Sequence, residues 1–309
     1  MLYQELRGLA MSELQNPIFN DDNQAREWLE ARLWPDGPVC GHCGTIGNAT
    51  ALKSRPGLYQ CNDCRKQFTV TVGTLFERSH IPLSKWLLAA FLLCSSKKGI
   101  SSHQLHRMLG ITYKSAWFMT HRLREAMKER AWPGPLGGAG QVVEADETFI
   151  GNKPGRKKQR GFRHKHAVVA LVERGGKMRS FHVQDINTNT LRNTLVTQVD
   201  RKSALMTDDS HFYKPIGKEF ASHESVNHSQ EEYVRGSAHT NTVEGAFSIF
   251  KRGMIGTYQH CGEQHLKRYL TEFDFRYSNR KALGVDDAQR AEIALKGIQG
   301  RRLTYRRVV

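Results

Sequence analysis

Two sets of side chains in this 309-residue sequence could do chemistry. The first is cysteine. Cys40-Gly-His-Cys43 and Cys61-Asn-Asp-Cys64 stand seventeen residues apart. One CxxC knuckle holds two thiolates side by side, and two knuckles complete a tetrahedral set around zinc. Turn-forming residues accompany both, Gly41 and Gly44 at the first, Asn62 and Asp63 at the second. Redox-active CxxC pairs and disulfides are the competing readings. The opening residues, MLYQELRGLAMSEL, carry acids and no apolar signal region, which speaks against secretion and so against disulfides. Four sulfurs leave no open coordination position. Zn2+ held by Cys40, Cys43, Cys61 and Cys64 would therefore be structural, with His42 outside the ligand set. Cys94 ends the apolar run 86–94 and reads as core, while Cys261 reads as an unpaired thiol.

The second set is carboxylate. Residues 141–150, QVVEADETFI, read as a strand with Glu144 and Asp146 on one face and Val143 and Ala145 on the other. A buried strand seldom carries acids without a partner or a task. Residues 166–172 and 178–183 read as two further strands, turned at Gly175-Gly176. Residues 190–199 suit a helix, 204–209 a short strand ending in Asp208 and Asp209, and 241–252 a helix bearing Glu244. Acids at two strand ends and on a later helix can converge. Meeting at one point, they repel unless a cation neutralises them, and hard divalent ions such as Mg2+ prefer oxygen ligands. Two Mg2+ ions, or Mn2+ in their place, can activate a water or 3′-hydroxyl and stabilise the leaving oxygen of a phosphodiester. Separate surface acids are the alternative.

Charge points to the partner. The formal net charge is +16, distributed as −4 over residues 1–30, +10 over 31–130 and +10 over 131–309. Such a surplus fits a polyanion, nucleic acid by default, against the plainer reading of a basic soluble protein. The longest apolar run has nine residues, short of the roughly 20 that cross a bilayer. Asn20 or Asp21 caps an acidic first helix. Apolar spacing then predicts helices over 82–95, from Ser101 or Ser102 to about Leu109, and from a Thr112 cap to about Lys128, with Gly110 between the last two. This suits a helix-turn-helix whose third helix offers Tyr113, Lys114, Ser115, Arg122 and Arg124 to a DNA groove, although any three-helix bundle gives the same pattern. Residues 152–165, NKPGRKKQRGFRHK, hold seven Lys and Arg and no acid. Arg156, Lys157, Lys158 and Arg160 are candidate phosphate contacts there, and a solvated loop is the alternative. Arg301, Arg302, Arg306 and Arg307 form a closing clamp or tail.

Four motifs carry a resemblance: the double CxxC, Val-Gly-Thr-Leu-Phe at 72–76, Val-Glu-Ala-Asp-Glu-Thr-Phe-Ile-Gly at 143–151, and His239-Thr-Asn-Thr-Val-Glu-Gly245 followed by Lys251-Arg252-Gly253. Over nearly its whole length the sequence resembles the zinc-ribbon DDE transposases of bacterial insertion sequences, the group related to eukaryotic Merlin elements. By position, the resemblance implies that Asp146, Asp208 and Glu244 are the catalytic, Mg2+-binding acids. Asp209 is adjacent to the second, though the Thr-Asp pattern favours Asp208. Some members of the wider group close with Asn, so Asn241 is kept as a supporting ligand or DNA contact. Lys251, with Arg252, would hold terminal DNA. Glu144 reads equally as a structural partner or a metal-proximal acid. Glu147 faces away, and His239 would orient a phosphate or cap the helix.

The expected architecture is an α/β catalytic domain, an RNase H-like mixed sheet with flanking helices, preceded by a zinc ribbon and a helix-turn-helix module. The boundaries are an N-terminal helical segment at 1–36, the ribbon at 37–79, the helix-turn-helix at 80–131, a Gly/Pro-rich linker at 132–140, the catalytic domain at 141–260 and a helical, basic C-terminal segment at 261–309. The implied function is Mg2+-dependent cleavage and strand transfer at terminal inverted repeats. The partners are double-stranded DNA, as transposon ends and target, and further copies of the chain in a homodimer or higher assembly. No membrane is involved, and the bacterial cytoplasm, at the nucleoid, is the expected location. The rivals are a domesticated DNA-binding regulator without strand transfer and a nuclease that cuts without joining.

Overall fold

The computed structural model describes residues 13–157, 159–227, 230 and 232–304. The first twelve residues, Lys158 of the basic segment, and Arg306 and Arg307 of the closing run lie outside the described residues. The chain divides into two compact units, the first made of residues up to 95, 102–126 and the chain from 287 onward.

In this first unit, α1 (Asp22–Leu33) starts where a carboxylate can cap it. Asp21 accepts from the backbone N–H of Asn23 at 2.7 Å and of Gln24 at 3.0 Å, which satisfies two otherwise unpaired donors of the first turn. Three short antiparallel strands follow, β1 (Ala49–Ala51), β2 (Tyr59–Cys61) and β3 (Gln67–Phe68). The third ends at Phe68. The chain leaves the ladder there for turns in which Val72 N donates to Thr69 O and Thr74 N to Thr71 O. Trp34 packs edge-on against Tyr59 and Phe68, joining the end of α1 to the strands.

Three helices complete this part: α2 (Leu83–Ser95), α3 (Ser102–Leu109) and α4 (Tyr113–Ala126). Gly110 takes the left-handed φ of +60° that the tight connection needs, and Thr112 Oγ1 caps α4 by accepting from Ser115 N at 3.2 Å. One expectation fails here. Arg124 does not face a groove; it is 1% exposed and donates to Thr120 Oγ1 one turn back at 3.1 Å. Arg122 is half-buried, with its guanidinium 4.6 Å from the Phe118 ring and 6.0 Å from that of Trp86. Both lie on a helix face whose neighbours at 116, 119, 120, 123 and 126 are buried, so the arginine stems follow the core rather than the solvent. Of the three cations assigned to this helix, only Lys114 stands fully exposed.

The second unit spans residues 96–101 and 127–286. Its strands and helices are β4 (Val142–Ile150), β5 (His166–Glu173), β6 (Met178–Val183), α5 (Thr188–Gln198), β7 (Ala204–Asp208), α6 (Tyr213–Gly217) and β8 (Ser222–Val226). They continue with a small hairpin of β9 (Val234–Arg235) and β10 (Ala238–His239), then α7 (Asn241–Arg252) and α8 (Glu263–Ser278). Five strands form one mixed sheet in the order β6-β5-β4-β7-β8, antiparallel from β6 to β4 and parallel from β4 to β8. β5 is buried on both faces. Val168, Ala170 and Val172 pack with Val243, Phe247 and Phe250 of α7 and Leu266, Leu270 and Phe273 of α8. Val169 and Leu171 point the other way, to Leu191 and Leu195 of α5 and Tyr213 and Ile216 of α6. The period-2 alternation of one strand thus feeds two helical layers.

Two sequence boundaries move. Leu136, inside the expected linker, is buried and pairs with Gln198 O and Asp200 N at 2.7 and 2.8 Å. α8, placed beyond the catalytic domain by the sequence, belongs to the sheet's own core because its apolar stripe covers β5 and β6. The last helix, α9 (Asp287–Lys296), returns to the first unit, where Arg290 donates to Cys94 O at 3.0 Å. Arg301 donates to the carbonyls of Glu125 and Ala126 at the end of α4, a favourable place for a cation. Among the described residues no helix is long and apolar enough to cross a membrane.

Candidate functional site

β4 and β7 run in parallel with Val142 beside Ala204 and Glu144 beside Met206. Two residues beyond the last of these pairs come Asp146 on β4 and Asp208 at the end of β7. Both acids lie on the α7 face of the sheet, since the intervening Ala145 packs into the opposite layer. Glu244 sits in the first turns of α7, where Thr240 Oγ1 donates to its Oε1 at 2.7 Å.

The three carboxylates share one electrostatic field. Burial pushes the Asp146 carboxyl up to about 7, helped by the charge of Glu147 and then by those of Asp208 and Glu244, while the Glu147 N–H, donating at 2.7 Å, works against the rise. Glu147 is also raised to about 7, by burial first and by Asp208, with the Tyr213 hydroxyl opposing. That hydroxyl donates to Glu147 Oε2 at 2.5 Å from the far side of the sheet. Asp209 turns elsewhere: Asn227 donates to it at 3.2 Å and Lys214 stands 3.5 Å away. The charges of Asp208 and Glu244 thus act on Asp146, whereas Asp209 is engaged by Asn227 and Lys214.

Glu144 is fully buried and holds the helix that carries Glu244. It accepts from Thr242 N at 2.8 Å, Val243 N at 3.0 Å, Thr242 Oγ1 at 2.8 Å and Arg174 Nε at 2.6 Å. Thr240, at the N-cap position, makes no side-chain cap bond; the carboxylate from β4 takes that place and meets the positive end of the helix. Arg174 also donates to Ser237 O and His239 O, both at 2.8 Å. His239 Nδ1 lies 3.2 Å from Glu144 Oε1, so this histidine sits against the carboxylate that does the capping. Sequence reasoning missed Arg174 and Tyr213, because each belongs to the site only through long-range pairing.

Asn241 is exposed at the first position of α7, and Lys251 and Arg252 are exposed in its last turn. The basic segment joins β4 to β5 and displays Arg156, Lys157 and Arg160 to solvent. It is braced by Phe149 stacked on Phe162 at 4.6 Å between ring centres.

In the first unit, the four cysteine Sγ atoms all lie within 4.8 Å of one another. Cys40 to Cys64 measures 3.7 Å and Cys43 to Cys61 3.6 Å. Tetrahedral Zn–S bonds place sulfurs about 3.8 Å apart, so the donor set fits zinc without rearrangement. Thr45 Oγ1 and Asn48 Nδ2 each donate to Asp63 at 2.6 Å, locking one knuckle to the other.

The chain thus carries a mixed α/β unit with acids on one sheet face and a four-cysteine ribbon, and comparison with known proteins gives its class. Residues 135–278 match the family model of the ISXO2-like transposase domain, and residues 20–67 that of the transposase zinc-ribbon domain. The chain belongs to the zinc-ribbon transposases of insertion sequences. It is 25% identical over 280 residues to an uncharacterised protein in transposable element ISH50 of Halobacterium salinarum, covering 84% of this chain and 91% of that one. Among solved structures it is similar to a chain in the cryo-EM structure of the simian T-cell lymphotropic virus intasome in complex with PP2A regulatory subunit B56 gamma. That likeness has 15% identity and a TM-score of 0.30, covering 55% of this chain and 63% of that one.

Proposed function

We propose that this transposase cuts and joins DNA at an RNase H-like site formed by Asp146, Asp208 and Glu244, with divalent cations bound to those acids. One observation carries the reading: Asp146 on β4 and Asp208 at the end of the parallel β7 stand on the sheet face that meets α7, whose first turn bears Glu244. Half-buried oxygen donors of like charge, drawn from three elements, are a donor set suited to Mg2+ or Mn2+. Bound there, two such cations would supply activation of a water or 3′-hydroxyl and stabilisation of the leaving oxygen. The chain's own part is positional. The parallel pair of β4 and β7 carries Asp146 and Asp208 on neighbouring strands, and Glu144 fixes the helix that presents Glu244. Lys251, Arg252 and the exposed cations of residues 152–165 bind phosphates beside the acids. Asn241 contacts the terminal DNA. The four cysteines hold a structural Zn2+, and α3 and α4, with Lys114 exposed, act as the helix-turn-helix that reads the terminal repeats. Both ends of an element must be cut together, so the working form is a dimer or larger assembly on DNA in the cytoplasm.

The test is an assay on labelled terminal DNA with Mg2+. Joined product is expected. Cleavage without joining would instead indicate a nuclease, and binding without either a DNA-bound regulator.

A further inference from the structure

A second set of metal-ligating side chains lies in the sheet unit, apart from the cysteines and the three acids. His166 opens β5, His182 lies near the end of β6, and Glu263 opens α8. The pairing of Val168 with His182 puts both rings on the face covered by α8. One donor atom from each residue lies within 4.8 Å of the others. His166 Nδ1 and His182 Nε2 are each 3.9 Å from Glu263 Oε1. The rings stand edge to face with centres 5.3 Å apart.

The two nitrogens are buried and make no hydrogen bond, with the His166 side chain 5% and that of His182 11% exposed. A buried polar atom left unpaired costs about 1–3 kcal/mol. Two such atoms aimed at one carboxylate are what a metal site looks like before its ion. The residue types fit as well, since two imidazoles and one carboxylate form an established zinc donor set.

We propose that His166, His182 and Glu263 form a second divalent-metal site that takes Zn2+. Tetrahedral bonds of ordinary length need donor separations of about 3.4 Å, so each 3.9 Å contact to Glu263 closes by about half an ångström and the two ring nitrogens draw in from within 4.8 Å. Glu263 is 47% exposed, which opens the fourth position to solvent. The bound ion ties the first turn of α8 to β5 and β6. Because His166 directly follows the 152–165 segment, it also fixes one end of the DNA-facing basic loop. This site is independent of the three acids and of the cysteines.

The experiment is metal stoichiometry on the full chain, loaded with excess Zn2+ and desalted. Two zinc equivalents are expected, falling to one in Glu263→Gln and in His182→Gln. Glu263 is half-exposed, so that variant keeps its fold, which circular dichroism checks. Co2+ titration supplies the second readout. The first equivalent, at the cysteines, gives thiolate charge-transfer absorption, and a second should add ligand-field bands alone that both variants lack. A single zinc equivalent in the parent chain, or two in the folded variants, overturns the proposal.

Discussion

Glu144 accepts the backbone N–H of Val243 at 3.0 Å and so joins β4, the strand of Asp146, to α7, the helix of Glu244. Its charge is shared with Arg174 at 2.6 Å and with Thr242 N at 2.8 Å. Removing one partner of a buried, hydrogen-bonded charge costs several kcal/mol. Glu144→Gln is expected to lower stability by about 3 kcal/mol and to slow cleavage while DNA affinity holds. Denaturant melts and single-turnover cleavage read the two effects. An unchanged melt would mean that the carboxylate does not hold the helix.

Asp208 and Asp209 are adjacent in sequence but differ in their surroundings. Asp208 acts on Asp146, whereas Asp209 is occupied by Asn227 and Lys214. Asp146→Asn, Asp208→Asn and Glu244→Gln should each reduce Mg2+-dependent cleavage by about a thousandfold or more, the scale of losing a central electrostatic element, with DNA binding retained. Asp209→Asn should stay within about threefold of the parent. Cleavage lost in Asp209→Asn and kept in Asp208→Asn would reverse the assignment.

The parts legible in the sequence were those set by local pattern. The Asp21 cap, the cysteine knuckles, the three helices ending at α4 and the alternation of β4 all follow from neighbours a few residues apart. What could not be read depended on pairing across the fold. Arg124 looked like a surface cation because its helix is amphipathic, and only the packing at Thr120 shows its stem turned inward. Glu144 stayed ambiguous until Thr242, Val243 and Arg174 were placed around it. α8 was assigned to a separate segment because nothing in residues 263–278 names β5 and β6 as its partners.

The arginines of α4 supply a contrast with Lys114. Arg124→Ala removes a buried side chain and its bond to Thr120, and should cost about 1–3 kcal/mol of stability. Lys114→Ala should leave stability unchanged and weaken DNA binding. Paired melts and binding isotherms separate the two, and a Lys114→Ala chain with parental affinity would remove α4 from the DNA interface.

Arg156, Lys157 and Arg160 are exposed on the segment that follows β4, the strand of Asp146. If each neutralises a phosphate, replacing all three by Ala reduces the slope of log affinity against log salt by roughly 2–3. The loss should be similar for terminal and unrelated DNA, since phosphate contacts carry no sequence information. A parental slope would show these cations to be merely solvated.

Asp274 on α8 provides a pH test away from every proposed ligand. It accepts from Ser180 N at 2.8 Å and Ser180 Oγ at 2.7 Å, yet burial pushes its carboxyl up to about 7 against those bonds. An acid whose folded value is raised binds more protons in the native than in the unfolded state between about 4 and 7. Stability therefore falls as pH rises through that window. Asp274→Asn keeps the shape and the bonds to Ser180 without a charge to bury, so it should melt near the parent at pH 5 and above it at pH 8. Melting profiles of the two chains across that range should diverge upward with pH. Parallel profiles would mean that Asp274 is ionised at little cost and that α8 docks on β6 through its apolar face alone.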